Sequence, residues 1–156
     1  MDEVRRWNEL HDFSEEDAHW LALDAIGFNE QLLLTLFPDW RLVRSLSQLE
    51  AAERDGKTSL ICTKCFFKWG ERESGQRLAH SWCATSDSIA AWFAELIEAE
   101  NLTLVKSVDW IPGLSWEEAH KRELVDGEFA RVISSEIPVR WLNGRRDPMQ
   151  FVTCTP

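Results

Sequence analysis

Apolar residues fall into short runs along this chain, and their spacing changes from one run to the next. Ala18, Leu21, Ala22 and Ala25 recur at helical spacing behind Ser14, whose hydroxyl precedes three acids and suits a helix N-terminus. Gly27 is expected to close that helix, and residues 28–37 predict a second one stopped by Pro38. Residues 40–46 alternate like a strand. Ser47 with Glu50 forms a capping box for a short helix that Asp55-Gly56 ends. Residues 58–69 and 77–85 then read as two strands around the polar link 70–76, which predicts a central β-hairpin over about 58–85.

The second half continues the irregular alternation. From Ser86 onward, Ile89, Trp92, Phe93, Leu96 and Ile97 share one helical face, while Asp87, Ala91, Ala94, Glu95 and Glu98 share the other. Residues 102–110 predict a strand, Ser115 and Glu118 a capping box for a helix to about Leu124, and 128–137 another strand. Strand pieces about Asn143-Gly144, with 151–154, complete the chain. The expected fold is α+β: a small single domain, 1–156, with a mainly antiparallel sheet, the central hairpin and several short helices.

Composition changes this picture little, but charge does. The 156 residues are 44% hydrophobic and 28% charged, which suits a packed core and excludes disordered and collagen-like classes. No stretch free of Asp, Glu, Lys and Arg is longer than residues 78–86, and the first twenty residues are charged throughout. Neither a membrane span nor a secretory signal is expected, so the expected location is the cytoplasm. Net charge is −10, with nine acids and two bases in residues 1–30 alone. Such a chain has no electrostatic reason to bind phosphate backbones directly.

Cys62, Cys65, His80 and Cys83 are spaced as C-x2-C-x14-H-x2-C, close to a zinc-binding pattern. The spacing resembles the first half of a LIM-type zinc module, but the second ligand quartet of that module has no counterpart after Cys83. The hairpin reading competes with the metal. It pairs Cys62 with Cys83 and Cys65 with His80, and strand geometry then points Cys62 and Cys65 to opposite sides, where they share no ion. That reading is preferred, with no cofactor expected and zinc as the alternative. Disulfides are not expected in a cytoplasmic chain. Glu16…His19 and Glu117…His120 repeat a Glu-x-x-His step without the long helices that a di-iron bundle requires.

The abundance of Trp (9, with 8 Phe and no Tyr) is mostly core material, but Trp20 stands out. Asp17, Trp20 and Asp24 lie at i, i+3 and i+7, and Glu16 precedes them, so an aromatic anchor is ringed by carboxylates. No nucleophile elbow, phosphate loop or dinucleotide fingerprint occurs. The resulting expectation is a non-catalytic acidic binding protein. It would inhibit a basic protein or nucleoprotein complex that handles nucleic acid, as an immunity or anti-defence protein does, by nucleic-acid mimicry or steric blocking. Glu16, Asp17, Trp20 and Asp24 would bind the partner. The alternative is a small zinc-binding adaptor organised by Cys62, Cys65, His80 and Cys83.

Overall fold

A computed structural model describes residues 2–75 and 77–154, which divide into two compact units, 1–82 and 83–156. The first contains helix α1 (Asp2–His11), helix α2 (Glu15–Leu36), strand β1 (Arg41–Val43), helix α3 (Leu46–Arg54), strand β2 (Ser59–Ile61) and helix α4 (Thr63–Ser74). The second contains helix α5 (Ser86–Leu96), strand β3 (Leu102–Lys106), helix α6 (Trp116–Lys121), helix α7 (Phe129–Val132), strand β4 (Val139–Asn143) and strand β5 (Phe151–Cys154). Helices and strands are interspersed without a regular repeat, so the class is α+β, as the pattern predicts.

In the first unit, Ser14 caps α2 as expected, its Oγ accepting from the Asp17 amide at 3.1 Å. Gly27 does not end the helix. A glycine costs about 1 kcal/mol inside a helix, and the good helix formers on both sides absorb that. Gly27 also lacks the positive φ of a terminating residue, so α2 runs on to Leu36 and stops before Pro38. The buried stripe is Ala18, His19, Ala22 and Leu23, whereas Leu21, expected to face inward, is exposed. Helix α3 starts earlier than expected. Its cap is Ser45, not Ser47, and the Gln48 side chain reaches back to the Arg44 amide at 2.9 Å. Gly56, at φ +63°, ends it in the left-handed region that favours glycine.

The central hairpin does not form. Only 59–61 is a strand, α4 takes the place of the expected first arm, and 77–85 forms no strand. The reason lies in the burial of Phe66, Phe67 and Gly70. Two adjacent buried phenylalanines cannot share one face of a strand, but i, i+1, i+4 is one face of a helix. Gly75, at φ +66°, caps the end.

The second unit packs around tryptophan. Trp110 stands 5.2 Å from both Trp116 and Trp141, and Trp116 meets Phe129 at 4.9 Å. Leu104, Val139 and Ala119 fill the space around them, and the Trp141 indole N–H donates to the Val108 carbonyl at 2.8 Å. The Ser115–Glu118 capping box is present in full. Ala91 and Ala94, expected on the outer face of α5, are buried in this core. The expected strand at 128–137 is replaced by the short α7, because buried Phe129 and Ile133 are four residues apart and Glu128 pairs with Arg131 across one turn.

The sheets are not mainly antiparallel. β1 pairs with β2 and β3 with β4 in parallel, and only β4 with β5 is antiparallel. Each parallel pair is joined through helix, α3 in the first case and α6 with α7 in the second, which is the connection parallel strands require. Among the described residues no helix is long and apolar enough to cross a membrane.

Candidate functional site

Three of the four residues expected to bind a partner already have partners inside the first unit beyond their own turn of helix. Glu16 accepts from the Trp20 indole at 2.5 Å and meets His80 Nδ1 at 2.6 Å. Asp24 pairs with Lys64 Nζ at 2.5 Å. Trp20 is half-buried, edge-on to Phe67 and His80, with the Lys68 ammonium 5.2 Å from its ring centre. Asp17 faces outward and accepts from the Ser14 hydroxyl at 2.7 Å. Trp20 is therefore a wall of a packed aromatic nest that also carries charge.

At the centre of that nest His19 and His80 stack face to face, with ring centres 4.5 Å apart and planes 2° from parallel. Both nitrogens of His80 face carboxylates, Nδ1 towards Glu16 and Nε2 towards Glu71 at 2.7 Å. A neutral imidazole donates once, while the imidazolium serves both acceptors. Burial opposes the charged ring, but its hydrogen bonds to Glu16 and Glu71 outweigh that and hold the His80 pKa above the ordinary histidine value. Glu16 is held below its usual range by the bonds from Trp20 and His80. His19 goes the other way, down to about 4, through burial first and the neighbouring charge of His80 second. Of the stacked pair, His80 is therefore the ring that takes up a positive charge more readily. The sequence places His19 three residues after Glu16, but the structure gives Glu16 to His80, from a segment read as a strand.

Cys62 and Cys65, assigned to opposite sides by the hairpin reading, lie together. Cys62 is the N-cap of α4 and Cys65 lies in its first turn, with their sulfurs 3.0 Å apart and the Cys62 thiol donating. Burial first, and that bond second, push the Cys62 thiol up to about 11. Glu30, buried on α2, accepts from the Thr63 amide at 2.8 Å and so caps α4 in place of Cys62. His80 is engaged by Glu16 and Glu71, and Cys83 belongs to the second unit. Among the described residues no group of three His, Cys, Asp or Glu side chains is set to hold a metal ion.

A feature the sequence reading passed over is the outer face of α2. Leu21, Phe28, Leu32 and Leu36 are all exposed, Phe28 by 75% and Leu36 by 61%. Steps of seven, four and four residues put them on one stripe of the helix, and helical spacing sets Asp17 and Asp24 along its edge. Trp7 and Leu10 of α1, which packs against α2, are exposed as well. Phe28, Leu32 and Leu36 at i, i+4 and i+8 carry the signal in the sequence, but the helix break expected at Gly27 separates them from Leu21. The second unit adds a cleft of about 530 Å³ walled by Trp116, Ile133, Ile137, Pro138, Val139 and Cys154. Compared with models of protein families and with curated proteins, the chain matches none.

Proposed function

We propose that this chain is a non-catalytic acidic binding protein that inhibits a basic, nucleic-acid-handling partner by seating the outer face of α2 on it. The observation that carries the reading is the stripe Leu21, Phe28, Leu32 and Leu36, exposed along a 22-residue helix in the most acidic part of the chain. Exposed apolar side chains aligned on one helical face are the usual means by which a helix enters a partner's groove. Phe28 and Leu32 at the centre of such a contact are worth roughly 2 kcal/mol each once buried. Asp17 at the edge, with the net negative charge of this part of the chain, supplies long-range attraction to a basic surface and disfavours acidic ones. Steric blocking fits better than nucleic-acid mimicry. Glu16 and Asp24, which a mimic would present to a phosphate groove, are neutralised by His80 and Lys64.

The test is affinity capture with the intact protein at low and high salt, followed by the same capture with Phe28→Asp/Leu32→Asp. The expected result is a basic nucleic-acid-binding protein retained by the wild type, lost by the double variant, and captured more slowly as salt rises. Circular dichroism of the double variant should match the wild type, because both side chains are exposed. Retention of the same partner by the double variant at an unchanged rate would remove α2 as the interface. Retention only of acidic or neutral proteins would remove the proposed partner class.

A further inference from the structure

We infer that Cys62 and Cys65 form a dithiol that closes to an intramolecular disulfide by exchange with a small-molecule disulfide such as oxidised glutathione. The carrying observation is geometric: the two sulfurs stand 3.0 Å apart at the start of α4, and both residues are partly open to solvent. Closure to a bond of about 2.0 Å asks for a movement of roughly 1 Å. The local backbone permits it. Cys62 sits just outside the helix in an extended conformation with no side-chain capping bond, so its side chain turns without breaking a helix contact. Glu30 already satisfies the first amide of α4, which leaves the helix end capped whichever state the sulfurs adopt. Cys154 is buried, and both it and Cys83 lie in the other unit.

The direction of the hydrogen bond assigns the order of events. The Cys62 S–H donates to the Cys65 sulfur and burial holds the Cys62 proton in place, so Cys62 is assigned the second, resolving attack. Cys65 loses its proton to water and attacks one sulfur of the small disulfide, whose S–S bond breaks and releases one thiolate. Cys62 then loses its proton and attacks the Cys65 sulfur, releasing the second thiolate. Both leaving thiolates take up the protons lost. The chain is oxidised by two electrons, the small disulfide is reduced by two, and the products are one internal disulfide and two small thiols.

The experiment incubates the full chain with graded mixtures of reduced and oxidised glutathione, traps free thiols by alkylation, and reads intact mass and peptide maps. Wild-type protein should lose two hydrogens, with both sulfurs of the 62–65 peptide protected together, and should recover both on reduction. Cys62→Ser should stop at the mixed disulfide on Cys65, because the resolving thiol is absent. Cys65→Ser should take up glutathione at Cys62 roughly tenfold more slowly. Serine is a better helix cap than cysteine at position 62 and is close to it in size at position 65, so both variants should fold, and circular dichroism checks this. Three results would overturn the inference: a 62–65 peptide that stays doubly alkylated in the oxidised mixtures, one that ends with two separate glutathione adducts, or one zinc per purified chain that blocks the exchange.

Discussion

Each unit of this molecule caps one helix with a carboxylate from far along the chain, and the two caps are built differently. In the first unit Glu30 reaches the start of α4 and accepts a single amide, from Thr63. In the second, Asp126 reaches the start of α5 and accepts the amide and hydroxyl of Thr85 and the amide and hydroxyl of Ser88. Neither Cys62 nor Thr85 makes the side-chain bond expected of its own capping position. The difference teaches what each cap is for. Asp126 gathers four neutral donors and ties two segments together, whereas Glu30 secures one donor beside a pair of thiols. Both units also hold a part-buried ion pair, His80 with Glu71 in the first and Lys106 with Asp87 in the second, so what sets the second cap apart is that Asp126 keeps to hydroxyls and amides.

The largest effect that would sharpen this contrast is expected at Asp126. Asp126→Ala removes four hydrogen bonds to a partly buried acceptor and should cost about 3 kcal/mol in urea unfolding. Glu30→Ala orphans one amide and should cost about 1–2 kcal/mol, with Glu30→Gln recovering most of it because the amide oxygen still accepts. If the Glu30 change proves the more costly of the two, the number of donors is not what separates these caps.

The histidine nest provides a pH test confined to the first unit. His19 binds its proton less readily folded, at about 4, than at its ordinary value of 6.5. Its contribution to stability is therefore present above about 6.5 and is lost as pH falls through 4. His80 behaves oppositely. Its raised pKa gives stability that is full below the ordinary value and lost as pH rises through the folded-state value. Each slope is at most about 1.4 kcal/mol per pH unit. His19→Phe should flatten the acid limb of a thermal-melt profile and His80→Asn the alkaline limb, and profiles unchanged by both would dissolve the proposed pairing of the two rings. The smallest effect expected is at Ser115→Ala, about 1 kcal/mol for loss of the α6 capping box, because that cap is local and exposed.

That last residue marks what could be read directly. Ser115 with Glu118, Ser14 before three acids, Pro38 after an apolar run and Gly56 after Asp55 all act within one or two turns, and all do what their positions predict. Helix α4 is the opposite case. Thr63 to Ser74 is rich in aromatic residues compatible with either period, and the burial of Phe66 beside Phe67 decides for the helix. Trp20 is a similar case. Its helical position beside acids was legible, but its packing against Phe67 and His80 depends on residues more than forty positions away.

By itself, then, the sequence determined the α+β class, the helix ends set by capping and breaking residues, and the acidity of the first thirty positions, because each follows from bonds and charges a few residues apart. Tertiary structure decided the rest: the parallel pairing of β1 with β2 and of β3 with β4, the stacking of His19 on His80, the meeting of the Cys62 and Cys65 sulfurs, and which face of α2 stays bare. Those outcomes depend on which distant segments exclude water from one another, and residue spacing along a strand or helix carries no record of that choice.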